Sequence, residues 1–136
     1  MTFAAAAAAA AAAQPAVPLE TLDHWLGDFR DRFNANVRAA KLTAGWNRRL
    51  LVDATDTARS VVLTVTGTRV TDIRDGTEGT GDTPFVTLSG EERTLIEIFA
   101  GRYNPSSAVI DGQLEVYSDA RDKVKLEALA MVIWGL

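Results

Sequence analysis

The chain has 136 residues, 47% of them apolar and 24% charged, the size and composition of one globular domain with a core of its own. A net charge of −4 argues against duplex nucleic acid, because neutralising phosphates takes a surplus of Lys and Arg on one face. The absence of cysteine excludes disulfides, thiolate catalysis and thiolate metal sites.

Ten consecutive alanines, Ala4 to Ala13, followed by Gln14-Pro15-Ala16-Val17-Pro18, form a low-complexity leader over residues 1–18 with no side chain large enough to anchor a core. It is expected to be disordered or loosely helical. Met1-Thr2-Phe3 carries no Lys or Arg, which disfavours a secretory signal, and no other segment approaches a membrane span. A cytoplasmic protein with no stable membrane insertion is the resulting expectation, with a single domain over residues 19–136.

Leu22, Leu26, Phe29, Phe33 and Val37 recur at spacings of four, three, four and four, which predicts an amphipathic helix from Pro18 to about Ala40. Its basic residues and those just after it, Arg30, Arg32, Arg38, Lys41, Arg48 and Arg49, read as a solvated face. Period two then takes over. Arg49 to Ala54, Ser60 to Thr66 and Arg69 to Arg74 are predicted strands joined by turns at Asp56-Thr57-Ala58 and Gly67-Thr68, a meander of hairpins. A polar loop from Asp75 to Asp82 leads to a strand over Pro84 to Leu88. Ser89 and Glu92 have the spacing of a capping box, so Ser89 is expected to cap a helix from Gly90 to Ala100 that stops at Gly101. A short helical turn begun by Asn104-Pro105, a strand over Gln113 to Tyr117 and a helix from Asp119 to Trp134 complete the chain. Five strands and three main helices make an α+β layout.

The order of these segments carries a family likeness. Leu50-Leu51-Val52-Asp53, Val61 to Gly67, Thr83-Pro84-Phe85-Val86-Thr87-Leu88-Ser89-Gly90-Glu91-Glu92, Phe99-Ala100-Gly101-Arg102-Tyr103-Asn104-Pro105, and Asp111-Gly112-Gln113-Leu114-Glu115-Val116 together resemble the sterol carrier protein type 2 domain over roughly residues 20–134. Two departures stand out. The last strand runs into Ser118-Asp119 where that family usually has a glycine, and the chain closes on Trp134-Gly135-Leu136 instead of the peroxisomal Ser-Lys-Leu. The resemblance implies a five-stranded, largely antiparallel sheet covered on one face by helices. Between the layers it implies an apolar cavity or tunnel for acyl chains, sterols or similar molecules. Related domains also serve as accessory parts of larger enzymes, including mycothiol-dependent isomerases and alkyl sulfatases, so fold alone does not determine function.

Residues fit for chemistry are few. His24 is the only histidine, which rules out a multi-histidine metal site, and no metal or cofactor is expected. The acidic residues Asp72, Asp75, Glu78 and Asp82 lack the ligand spacing of a calcium loop, and Gly76, Gly79 and Gly81 precede a strand where a dinucleotide fingerprint would follow one. Were the protein an enzyme, Asp53, Tyr103, Tyr117 and His24 would be the first catalytic candidates. The apolar residues are the stronger signal. Trp25, Phe29, Phe33 and Trp46 early in the chain, and Phe85, Leu95, Ile98, Phe99 and Tyr103 in the middle, are candidate ligand contacts. So are Leu129, Ile133 and Trp134 on the last helix, which after Glu127 is apolar on every side. The expected partner is a lipid or other hydrophobic small molecule, held by a carrier or binding protein. The alternatives are a cofactor-independent cyclase or isomerase using the same cavity, and an accessory or dimerisation module in which the apolar C-terminal helix forms a homodimer seam.

Overall fold

The computed structural model describes residues 21–76 and 84–136. The leader over residues 1–18, the helix start expected at Pro18, and Glu78, Gly79, Gly81 and Asp82 of the polar loop lie outside the described residues.

The first predicted helix is two helices. Helix α1 spans Leu22–Ala35 and α2 spans Val37–Leu42, with Asn36 extended between them. The break has a local cause and a distant one. Asn36 Oδ1 accepts from the Ala39 amide (2.9 Å), capping α2, while Asn36 Nδ2 donates to the Val132 carbonyl (3.0 Å). A side chain that competes for backbone groups favours a cap over a helix interior. The change of direction carries Val37 out of the apolar stripe to 69% exposure, whereas Leu22, Leu26, Phe29 and Phe33 are buried.

Strands β1 (Arg48–Ala54), β2 (Arg59–Thr66) and β3 (Arg69–Asp75) form the predicted meander. Strand β4 (Phe85–Gly90) then pairs parallel with β1, and β5 (Leu114–Tyr117) pairs antiparallel with β4. The five-stranded sheet has the order β3-β2-β1-β4-β5, and only its β1/β4 ladder is parallel. Register sorts the side chains: Leu50 opposes Leu63 and Val86, and Val52 opposes Val61 and Leu88, all buried towards the helices. Arg49, Leu51, Asp53, Phe85, Thr87 and Ser89 alternate with them and lie on the other face.

Helix α3 spans Glu92–Phe99, α4 spans Pro105–Ile110 and α5 spans Ala120–Trp134. Asn104 caps α4 through the Ser106 amide (2.8 Å) and Asp119 caps α5 through the Asp122 amide (2.8 Å). The capping box expected at α3 does not form. Ser89 is buried within β4, which runs on until Gly90 pairs with both Ala54 and Leu114, and Glu91 occupies the cap position without a side-chain bond. The turn between β1 and β2 does the capping instead. Asp56 Oδ1 accepts from the Glu92 amide (2.8 Å), and the Thr57 hydroxyl donates to Glu92 Oε1 (2.8 Å). Among the described residues no helix is long and apolar enough to cross a membrane.

Candidate functional site

The distribution of side chains on β1, β4 and β5 leaves a space under the helices that the core does not fill. A cavity of about 570 Å³ lies between that end of the sheet and helices α3, α4 and α5. Protein interiors hold few voids larger than a water molecule, and ligand pockets run from about 300 to 1,000 Å³, so a space of this size falls within the range of small-molecule pockets. Leu50, Leu88 and Leu114 form its floor, and Leu95, Ile98 and Phe99 come from α3. Leu126, Leu129 and Ala130 of α5 close the side. Two small residues, Gly112 and Ala130, are also on the lining.

One end is shut by aromatics. Phe29 lies 5.3 Å from Phe99 and 5.5 Å from Trp134 between ring centroids, and Phe99 lies 6.0 Å from Trp134. Trp134 in turn rests on Gly101. A Cβ at that position would sit 2.8 Å from Trp134 Cδ1, and Gly101 has φ +79°, a left-handed conformation that costs an L-residue about 1–2 kcal/mol. Gly101→Ala is therefore expected to lower the melting temperature by several degrees and to shift the tryptophan emission maximum as the indole is displaced. An unchanged melt with an unchanged spectrum would mean that Trp134 does not seat there.

The other end opens to solvent between α4, β5 and α5. Of the lining residues there, Ile110 is 83% exposed and Tyr117 is 57% exposed. The charged residues on the lining are Glu115, Lys123 and Glu127, all of them exposed. Two hydrogen bonds organise this rim: Ser106 Oγ donates to Glu127 Oε2 (3.1 Å), and the Tyr117 hydroxyl donates to Glu115 Oε1 (2.5 Å).

Of the aromatic and aliphatic candidates, Phe29, Leu95, Ile98, Phe99, Leu129 and Trp134 line the cavity. The others are elsewhere. Phe33 and Ile133 are core residues, and Trp25 packs edge-on against His24 with the Arg102 guanidinium over its ring. Phe85 lies on the outer sheet face under the Arg49 guanidinium, 4.0 Å from the ring centroid. Trp46 belongs to a polar cluster: its indole N–H donates to Asp122 Oδ1 (2.7 Å), and Arg48 Nε donates to Asp122 Oδ2 (2.9 Å). Burial by itself would raise the Asp122 carboxyl. The bonds from Arg48 and Trp46, with the charges of Arg48 and Lys125, more than offset that and hold it below the ordinary aspartate range.

The catalytic candidates are dispersed. Asp53 is on the outer face of the sheet, opposite Ser60 and Ser89, and accepts from the Ser60 hydroxyl (2.9 Å). Tyr103 donates to Asp111 Oδ2 (2.6 Å) and is not on the lining; Tyr117 is at the mouth. Hydrogen bonding to Asp111 and to Glu115 respectively, then burial, then the carboxylate charge, raise both phenols above their ordinary value, so both stay protonated at neutral pH. His24 is on α1, off the cavity lining. The apolar lining residues that sequence reasoning passed over include Leu50, Leu88, Pro105, Val109, Ile110, Leu114, Val116 and Leu126. The adjacent Val109-Ile110 before the Asp111-Gly112 turn was a usable signal, because a short helix ending on two large apolar residues needs something to cover them.

The fold and its cavity define a small α+β domain built around a space for an apolar ligand. The profile of the SCP-2 sterol transfer family matches residues 26–131, and the chain belongs to that family. Solved structures agree on the fold. The sterol carrier protein domain 2 of Helicoverpa armigera superposes with a TM-score of 0.61 at 13% identity, over 88% of this chain and 93% of that one. A crystal structure of sterol carrier protein 2 gives 0.55 at 19% identity, over 82% and 95%. A double mutant of the sec-alkyl sulfatase PisA1 gives 0.60 at 20% identity over 82% of this chain, which spans 16% of the sulfatase. Among curated proteins, none matches the chain.

Proposed function

We propose that this protein binds a lipid or another hydrophobic small molecule in the cavity and releases it unchanged. The observation that carries the reading is the cavity of about 570 Å³ with an apolar wall and its polar groups confined to the open end. Each methylene taken from water into such a wall contributes about 0.8 kcal/mol, so an alkyl chain of about ten carbons gains about 8 kcal/mol before the cost of immobilising it is subtracted. The rim then orients whatever polar end the ligand has. Family membership and the sterol carrier neighbours fit the same reading. A cyclase or isomerase would need an acid or base against the reacting part of its substrate, and the ionisable groups on the lining stand at the mouth.

Native mass spectrometry of the purified protein, before and after solvent extraction, tests the proposal. The expected result is a lipid-sized adduct that leaves on extraction, and a melting temperature that rises when acyl or sterol ligands are restored. Ligand at about 100 times its dissociation constant stabilises the folded state by about 2.7 kcal/mol, well within detection. No adduct, together with no shift across the ligand panel, would overturn it.

A further inference from the structure

The charges at the mouth bear on which polar end the ligand carries. The rim presents two carboxylates, Glu115 and Glu127, against a single ammonium, Lys123. Each carboxylate already accepts one hydrogen bond from a rim neighbour, Tyr117 to Glu115 and Ser106 to Glu127, which fixes where its oxygens stand. A carboxylate has about four lone-pair positions and donates nothing, so both retain acceptor capacity for a ligand and offer it no donor. Lys123 is exposed and stands four residues before Glu127 on α5, where the opposite charges partly cancel. Beyond the rim, Asp111 lies between the lining residues Ile110 and Gly112 and adds to the negative side.

We infer that the cavity takes amphiphiles whose polar end donates hydrogen bonds, an alcohol or an amine, and discriminates against carboxylate and phosphorylated head groups. This rests on the carrier reading above and specifies its ligand class. A carboxylate at the mouth would meet a rim with an excess of negative charge, whereas a hydroxyl or ammonium would find acceptors already held in place by Tyr117 and Ser106. At partly solvated sites each like-charge contact weakens binding severalfold, so the pair is expected to disfavour a carboxylate by about tenfold or more.

Dodecanol, dodecylamine and dodecanoate share one tail and differ only at the head, and their affinities can be compared by displacement of an apolar naphthylphenylamine dye from the intact protein. The alcohol and the amine are expected to bind at least about tenfold tighter than the carboxylate at low salt. Raising ionic strength from about 0.01 M to 0.15 M shortens the screening length from about 30 Å to about 8 Å, and should strengthen dodecanoate while leaving dodecanol unchanged. The double substitution Glu115→Gln with Glu127→Gln keeps acceptors for Tyr117 and Ser106 and should bring the three ligands within about threefold of one another. Dodecanoate binding as tightly as dodecanol and weakening in Lys123→Gln would overturn the inference while leaving carriage intact. If the dye and all three ligands fail to bind, the carrier reading falls and this inference falls with it.

Discussion

Ala130→Trp is expected to weaken lipid binding by about 50- to 100-fold while leaving the ligand-free protein at least as stable as the parent. Ala130 is buried on α5 and lines the cavity, so an indole there is expected to project into the empty space. Occupying part of the cavity has two opposite consequences. The ligand loses room, and excluding about 100 Å² of its apolar surface at about 25 cal/mol/Å² removes about 2.5 kcal/mol, on the order of a 50- to 100-fold loss of affinity. The protein gains contacts where its wall had none, the reverse of the penalty that a large-to-small core change incurs. Native mass spectrometry and thermal melts on the same sample separate the two effects. Retained adducts at parental occupancy would show that the ligand sits elsewhere; a collapsed melt would show that the wall at Ala130 is close-packed.

The second large effect concerns stability. Asp122→Ala should cost about 3 kcal/mol, because it leaves the Trp46 N–H without its acceptor and the Arg48 guanidinium without its carboxylate. The Asp122 side chain is 6% exposed and that of Arg48 is 23% exposed, so neither partner left behind is freely rehydrated. For a domain of this size the melting temperature should fall by roughly 10 °C or more. The cluster also joins distant parts of the chain. Arg48 opens β1, Asp122 is in the first turn of α5, and Lys125 Nζ donates to the Leu42 carbonyl at the end of α2 (2.8 Å).

The same carboxylate makes a prediction about pH. Its folded-state affinity for protons lies below the ordinary aspartate range, so its contribution to stability is fully present above that range and is lost as pH falls through it towards the folded-state value. The melting difference between the parent and Asp122→Ala should accordingly be constant near neutrality and shrink in acid. A gap that stays constant to the lowest pH at which the fold survives would show that the charge on Asp122 is not what holds the cluster.

Much of this architecture was legible in the chain because its signals are local. Period-two alternation from Arg49 to Arg74 and the turn residues between its segments specify a meander without reference to the rest of the protein, and the resemblance of those segments to sterol carrier domains matches the family found. Where local signals competed, tertiary contacts decided. Asn36 interrupts an apolar stripe that would carry a helix through Val37, and the break is stabilised both by its cap on the Ala39 amide and by the bond from its Nδ2 to the distant Val132 carbonyl. Ser89 and Glu92 fit a capping box and equally a strand end, and pairing of β4 with both β1 and β5 selected the strand.

The cavity was legible in kind but not in membership. Aromatic character marked Trp46 and Phe85 as candidate ligand contacts, yet one holds Asp122 and the other lies under Arg49 on the outer sheet face. Leu50 and Leu88, ordinary strand leucines, form the cavity floor because β1 and β4 pair in parallel with a register that puts both on the helix side. The sequence by itself determined the strands, the order of the elements and the excess of apolar surface, since these follow from residue type and spacing over a few positions. Which apolar residues meet one another and which face an empty space was decided by tertiary structure, because it depends on strand register and on contacts between residues far apart in the chain.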